Sequence, residues 1–215
     1  KNGVKLHDGL MVESVLIPTE TRTTACVSSQ VGCSLNCEFC ATARLKRMRN
    51  LEVAEIVDQV ALIDKQSKLY FDRPLSNIVF MGMGEPMMNY KNVVESIKKI
   101  TEPSGLGMSP RRITVSTSGI PKMIKMLADE EIRVNLALSL HSAIEKKRNE
   151  IMPFSDKFPL TDIMDSLKYW YEKTGNIITF EYCVWKGIND EDEDIKALIR
   201  YCKQIPSKVN LIQYN

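Results

Sequence analysis

The chain has 215 residues, of which 44% are hydrophobic and 26% charged, and its formal net charge is +2 at pH 7. These values suit one globular domain with a buried core, and so small a net charge does not by itself indicate nucleic-acid binding. No apolar run approaches the ~18 residues of a membrane span, and six cysteines in a chain of this length are not a disulfide framework, so we expect a reducing cytoplasm.

Apolar segments rich in β-branched residues alternate along the chain with segments of helical period, which is the pattern of a parallel β/α protein. Residues 8–24 alternate in polarity ahead of a turn at Pro18 and predict a small β extension. The strands predicted after it are residues 25–28, 77–81, 113–116, 134–140, 177–184 and 209–212.

Amphipathic helices are predicted between these strands because apolar residues recur there at helical spacing. We expect each of these stripes to pack in the core. They are Val53, Ile56, Val57, Val60 and Ile63; Ile120, Met123, Ile124 and Leu127; Leu160, Ile163, Met164, Leu167, Trp170 and Tyr171; and Ile195, Leu198, Ile199 and Cys202.

The six predicted strands with their helices indicate an α/β fold, either a partial (β/α)₆ barrel or a doubly wound sheet, which share this local pattern. Polar residues follow directly after the strands, at residues 84–85, 116–119, 139–141 and 215. Ligands bind at the carboxyl ends of strands in both architectures. The sequence therefore predicts a ligand site at this edge.

Three cysteines, Cys33, Cys37 and Cys40, have the spacing C-x-x-x-C-x-x-C. Three thiolates from one loop can hold three corners of a 4Fe–4S cluster and leave the fourth iron open to a small molecule. A closed structural zinc site takes four protein ligands. A zinc knuckle or buried thiols remain the alternatives from the spacing alone.

The stretch from Cys26 to Thr42 resembles the radical S-adenosylmethionine (radical SAM) enzymes, and within them the methyltransferases that modify an adenine of 23S ribosomal RNA. Later matches follow in the family's order: MGMGEP at 81–86, RRITVSTSG at 111–119, LSLH at 138–141 and VNLIQYN at 209–215. The resemblance implies a partial (β/α)₆ TIM-like barrel, the radical SAM core, with one 4Fe–4S cluster and SAM as cofactors.

The resemblance places Gly84 and Glu85 against the methionine part of SAM, and Ser116 and the segment Ser139-Leu140-His141 in the same pocket. Asn215 matches a further SAM contact. Without the resemblance, the glycine would mark a turn and the serines would be helix caps. A lone histidine after a strand is more often structural, and we interpret His141 as a pocket residue and not as a general base.

The resemblance also implies catalytic roles for Glu13 and Cys26. In the family, one SAM methylates a cysteine, and the radical from a second SAM removes hydrogen from that methyl group, which then adds to carbon 2 of adenine. Cys26 matches the cysteine that resolves this RNA–protein adduct as a disulfide forms, and Glu13 matches the proposed base. Taken alone, Cys26 would be a buried apolar residue and Glu13 a solvated strand residue.

The family's methyl-carrying cysteine lies in a tail after the sixth strand, and a helical accessory domain precedes its barrel; neither is matched in this chain. Cys183 and Cys202 remain, and we predict that both are packing residues. We interpret residues 1–24 as a β extension and residues 25–215 as the barrel core of a larger enzyme. The chain alone is expected to cleave SAM slowly at best and not to methylate RNA.

Positive charge follows directly after the cysteine loop (residues 33–40), at Arg44, Lys46, Arg47 and Arg49, and we expect contacts with RNA phosphates there. Further positive charge lies at residues 111–112 and 146–148. Because base-modifying enzymes act on an unstacked base, the target adenine must leave its stack to enter the pocket.

The predicted function is methylation of adenine carbon 2 in 23S ribosomal RNA, and in transfer RNA beside the anticodon. The resemblance implies a cytoplasmic monomer that takes electrons from a donor such as flavodoxin. A carbon-8 methyltransferase of antibiotic resistance shares every motif quoted above. Two alternatives come from other classes: a radical SAM activating enzyme that generates a glycyl radical, and a zinc-bound RNA-binding module.

Overall fold

The structure, a computed structural model, describes residues 1–214. It divides into two compact units, the first made of residues 1–34 and 44–116 and the second of residues 35–43 and 117–215. Within the described residues, no helix is long and apolar enough to cross a lipid bilayer.

The first unit is built on a mixed sheet. Its strands are β1 (Asn2–Lys5), β2 (Met11–Pro18), β3 (Thr23–Cys26), β4 (Gln30–Val31), β5 (Arg49–Asn50), β6 (Asn77–Phe80) and β7 (Ile113–Thr117). The strands β1 and β2 form an antiparallel hairpin, and β2 also pairs antiparallel with β3. The strand β3 pairs in parallel with β6, and β6 pairs in parallel with β7. A separate short pairing joins β4 to β5.

Two helices, α1 (Val53–Phe71) and α2 (Tyr90–Thr101), belong to the first unit. A capping box starts α1, since the Glu52 side chain accepts from the backbone of Glu55 and the Glu55 side chain accepts from the backbone N–H of Glu52. The apolar stripe of α1 is buried at Ile56, Val60 and Ile63. Burial of this stripe is what attaches the helix to its unit.

The second unit contains a parallel sheet of β8 (Asn135–Ser139), β9 (Ile178–Val184) and β10 (Ser207–Gln213), with β9 between the other two. Its helices are α3 (Pro121–Asp129), α4 (Glu145–Ile151), α5 (Leu160–Thr174) and α6 (Asp192–Cys202). The stripe of α5 is buried from Leu160 to Trp170, where α5 packs against α3. Gly175, with a φ of 69°, ends α5 in the left-handed conformation.

The six predicted strands are confirmed as β3 and β6–β10, with ends that differ by a few residues. The predicted β extension is a hairpin, since β1 pairs with β2. The helix predicted at α6 is present, but its predicted packing face is wrong: Ile195 and Ile199 are exposed, and the buried face carries Asp194, Ala197 and Tyr201. The physical reason is that Asp194 caps the helix start and pairs with a lysine of α4.

Candidate functional site

At the start of the cysteine loop, Gly32 and Cys33 lie close to the backbone of Leu45 and Lys46, which follow the loop. Gly32 has a positive φ of 72°, and a Cβ at this position would lie 2.3 Å from the carbonyl oxygen of Lys46. The backbone N–H of Cys33 donates to the carbonyl of Leu45 at 3.2 Å. Glycine is therefore required directly before the first cysteine.

Cys37 and Cys40 lie in the second unit on a tight turn, in which the Cys40 N–H donates to the Cys37 carbonyl at 3.1 Å. Asn36 precedes the turn in the left-handed conformation, with a φ of 55°. All three loop cysteines are half-buried, and none forms a disulfide bond within residues 1–214. The backbone is thus held while the side chains stay within reach of a ligand.

The cysteine loop carries a donor set of three thiols. Cysteine thiolates bind such clusters on separate iron atoms, and Cys33, Cys37 and Cys40 supply three of them. In the part of the chain that the structure describes, no three His, Cys, Asp or Glu side chains are grouped closely enough for a single metal ion. By ligand type, number and accessibility, the three thiols fit a cluster with one iron left for another ligand.

The turn after β6 carries Gly84 and Glu85. Gly84 has a φ of 93°, and a Cβ there would lie 2.4 Å from the Cβ of Gln30. The Glu85 side chain is buried and accepts a hydrogen bond from the Met87 N–H at 3.0 Å, which caps the short helix that follows. Glycine is thus required for the close approach, and the carboxylate has a fixed position.

Gln30 holds this turn in place and was not predicted as a site residue. Its side-chain oxygen accepts from the Glu85 N–H at 2.9 Å, and its side-chain nitrogen donates to Asn50 at 2.7 Å. Gln30 is fully buried. The sequence signal available for Gln30 was its position within the stretch that carries the family resemblance. A buried glutamine needs hydrogen-bond partners, and Glu85 and Asn50 provide them.

Glu13 and Cys26 lie on the same face of the first unit's sheet. Val15 on β2 is paired with Cys26 on β3, and side chains two residues apart share a face. Glu13 is therefore a diagonal neighbour of Cys26, at a separation of about 7–8 Å. Burial raises the pKa of the Cys26 thiol, and the Glu13 side chain is exposed. Ser116, also in the first unit, is buried near the end of β7.

In the second unit, Ser139, Leu140 and His141 form the predicted segment at the end of β8. The N–H groups of Leu140 and His141 donate to the carbonyl of Glu181 at 3.0 and 3.2 Å. His141 has a φ of 54°, a conformation that is uncommon outside glycine. The carbonyl of His141 accepts from Asn189 at 2.6 Å. These bonds hold the strained segment, and Asn189 is a second residue that the sequence did not predict.

The His141 imidazole is buried, and its Nδ1 accepts a hydrogen bond from the Cys183 N–H at 2.9 Å. The ring of Phe39, between Cys37 and Cys40, packs against it with ring centroids 4.3 Å apart. Burial, and secondarily the positive charge of Arg148, lowers the pKa of His141 to about 3. The imidazole is therefore neutral near pH 7.

The positive residues differ in availability. Arg49 donates to both carboxylate oxygens of Glu55 at 2.7 Å and to Asp8 at 2.7 Å, and these bonds raise its pKa. Lys147 pairs with Asp194 at 2.7 Å. Arg148 has no exposed surface, so residues 146–148 do not form a basic surface run. Arg44 and Lys46 are exposed.

The other predicted residues are placed as follows. Cys183 is buried in β9, and Cys202 is half-buried at the end of α6, both with the pKa of the thiol raised by burial. Packing is thus what their surroundings indicate. Asn215 lies outside the described residues.

The fold and the cysteine loop are those of a radical SAM protein, and comparison with known families agrees. Residues 27–199 match the model of the radical SAM superfamily, and the chain belongs to this superfamily. Its members use SAM with a 4Fe–4S cluster, as the resemblance implied. A crystal structure of a radical SAM methyltransferase from Sphaerobacter thermophilus superposes with a TM-score of 0.96 at 38% identity, covering 99% of this chain and 62% of that one.

Within the superfamily, the chain is similar to RlmN proteins. It is 69% identical over its whole length to the probable dual-specificity RNA methyltransferase RlmN of Flavobacterium psychrophilum, of which it covers 62%. It is 48% identical to the dual-specificity RNA methyltransferase RlmN of Geotalea uraniireducens, with 98% of this chain and 60% of that protein covered. The predicted fold class and family resemblance are confirmed, and the chain spans about 60% of the length of these relatives.

Proposed function

We propose that this chain is the radical SAM core of an RNA methyltransferase that methylates carbon 2 of an adenine in 23S ribosomal RNA and in transfer RNA. The observation that carries the proposal is 69% identity to an RlmN protein over the whole chain. The comparisons do not favour a carbon-8 methyltransferase, an activating enzyme or a zinc-bound RNA-binding module. Residues 25–215 are the proposed core and residues 1–24 its β extension.

In this proposal, Cys33, Cys37 and Cys40 hold the cluster, which supplies radical chemistry together with SAM. Gly84 lets the backbone approach the methionine part of SAM closely, and the buried carboxylate of Glu85 accepts from its ammonium group. Ser116, Ser139, Leu140 and His141 complete the pocket, with Asn215 as a further contact. Support comes from the fixed conformations of Gly84, Glu85 and His141.

Cys26 and Glu13 are the proposed catalytic residues. Glu13 takes the proton from carbon 2. The Cys26 sulfur then bonds to the sulfur of the methyl-carrying cysteine as the bond from that sulfur to the methylene group breaks, so that a disulfide forms and the methylene takes up a proton and leaves as methyladenine. The proposal that both residues act in one site is supported by their position on the same face of β2 and β3. The raised pKa of Cys26 means that its thiol must lose a proton before it attacks.

The proposed partners are 23S ribosomal RNA, transfer RNA and an electron donor such as flavodoxin, and the proposed setting is a cytoplasmic monomer. Arg44 and Lys46 are the cations next to the cysteine loop that remain exposed for phosphate contacts. Arg49 is less suited to this role, because Glu55 and Asp8 already neutralise it.

The test uses the full-length protein, cluster-loaded, with SAM, a reductant and unmodified RNA. We expect Cys26→Ala to trap the RNA covalently, whereas Cys202→Ala releases methyladenine as the unaltered protein does. Mass spectrometry distinguishes carbon-2 from carbon-8 methylation. The 215-residue chain alone should give no methyladenine. Turnover by Cys26→Ala, or by the isolated chain, would show that Cys26 has another role.

A further inference from the structure

Arg148 is an arginine of α4 that lies entirely inside the second unit, with no exposed surface. Its Nη2 donates to the carbonyls of Ser118 at 2.6 Å and Ser139 at 3.3 Å, and its Nε donates to the carbonyl of Leu140 at 3.2 Å. These carbonyls are neutral dipoles. The guanidinium is therefore held firmly by groups that do not neutralise its charge.

The charge of Arg148 is not paired within the described residues. No salt bridge reaches it there, and its Nη1 is buried without a hydrogen-bond partner. Burial lowers the pKa of Arg148, while the charges of Tyr201, Glu145 and Cys37 act in the opposite direction. A buried charge without a partner is costly. An arginine nevertheless keeps its charge in a protein.

The cysteine loop lies close to this cation on the side of Cys37. The N–H of Glu38, the next residue, donates at 3.0 Å to the carbonyl of Ile151, which ends the helix that carries Arg148. Phe39 packs on His141, directly after the strand end that Arg148 binds. These two contacts hold the segment after Cys37 beside α4, which carries Arg148, and beside the end of β8.

We propose that Arg148 is a positioning residue whose buried charge raises the reduction potential of the 4Fe–4S cluster held through Cys37. The proposal rests on the proposed ligand role of the three loop cysteines. Reduction transfers one electron from a donor to the cluster and adds one negative charge. A nearby cation in a poorly solvated interior stabilises that added charge. Arg148 would thus make cluster reduction easier without touching SAM or RNA.

The alternative is that Arg148 only clamps the three carbonyls, and the test separates charge from hydrogen bonding. Arg148→Lys keeps the charge but loses the fork of donors, whereas Arg148→Gln keeps a donor but is neutral. Arg200→Met is the control, because it removes an exposed positive charge of the same unit. Each protein is loaded anaerobically, iron and sulfide are counted, and the midpoint potential is measured with dithionite and mediators by electron paramagnetic resonance.

We expect Arg148→Gln to lower the equilibrium constant for reduction about tenfold, which is ~59 mV for one electron. The equilibrium constants for reduction of Arg148→Lys and Arg200→Met should stay within about threefold of that of the unaltered protein, which is well below the tenfold shift. An unchanged potential in Arg148→Gln would overturn the proposal, as would an equal fall in the Lys variant. If Arg148→Gln binds no cluster, Arg148→Lys still decides, since a tenfold fall there contradicts a role for charge. Failure of the unaltered chain to bind iron would instead contradict the proposed ligands.

Discussion

The Nδ1 atom of His141 accepts a hydrogen bond from the backbone N–H of Cys183 at 2.9 Å. An acceptor nitrogen carries no proton, so the bond requires the imidazole to be neutral. The same ring is buried between Phe39 and the end of β8, with the pKa lowered to about 3. The histidine at the predicted SAM pocket therefore has a fixed position and cannot take up a proton at Nδ1 without losing this bond.

The stability of the 215-residue protein should fall between pH 6.5 and 3 because of His141. In that range the unfolded chain protonates this residue and the folded chain does not, so folding loses free energy as the pH falls. The slope is at most about 1.4 kcal/mol per pH unit. We expect His141→Asn to lose less stability than the unaltered protein between pH 7.5 and 4.5, by about 2–3 kcal/mol in urea unfolding. The exposed His7 provides the control His7→Asn, and equal slopes in all three proteins would contradict a neutral buried ring.

Replacement of any one of Cys33, Cys37 or Cys40 by alanine should abolish cluster binding, because two thiolates hold a cluster poorly. Iron and sulfide analysis after anaerobic reconstitution provides the measurement. Cys202→Ala is the matched control, since it removes a thiol of α6 that lies outside the loop. Stoichiometric zinc without iron or sulfide in the unaltered protein would rule out the radical SAM interpretation of this loop.

Glu85→Gln should weaken SAM binding to the cluster-loaded protein by about 1.5–3 kcal/mol, the usual contribution of a hydrogen bond to a charged group. Glutamine retains an oxygen for the Met87 N–H, so the cap of the short helix is preserved. Calorimetric titration with SAM measures the effect, and the exposed Glu102→Gln is the control. An unchanged affinity would remove Glu85 from the SAM pocket.

Gly84→Ala should destabilise the protein considerably more than Gly187→Ala. Both glycines have a positive φ, but a Cβ at Gly84 would lie 2.4 Å from Gln30, whereas no atom of residues 1–214 lies within 4 Å of a Cβ at Gly187. The cost at Gly187 is thus conformational strain alone, about 1–2 kcal/mol. Urea unfolding of the two variants measures the difference. Equal losses would show that the turn after β6 can move away from Gln30.

The sequence predicted those parts of the fold that depend on local patterns. The strands β3 and β6–β10 were found because each is a short apolar run bounded by turn residues. The stripe of α5 was found because its apolar residues repeat at helical spacing and are all on one side. The stripe of α6 misled, because Asp194 is buried through its contact with Lys147 while Ile195 is exposed. Periodicity reports apolar residues and not the polar contacts that fix a helix face.

The candidate site was predicted where a motif carries its residues and missed where long-range contacts define the role. Gln30 and Asn189 support the predicted residues from positions far away in the chain, and Arg148 supports Leu140 from the following helix. Each is polar and would ordinarily be placed on the surface. Their burial follows from hydrogen bonds across the fold, which a pattern in one sequence does not contain.

The short pairing of β4 with β5 joins Gln30 to Asn50 and Val31 to Arg49, and so closes the segment 32–48 that contains the cysteine loop. Because the ends are already joined by protein contacts, the entropy of closing this loop is lost during folding and not when iron binds. The cofactor then has only to order the thiol side chains and a few backbone torsions. A chain stripped of iron should consequently keep its secondary structure and accept a new cluster without refolding, so that oxygen damage to the metal centre is repairable in the intact protein.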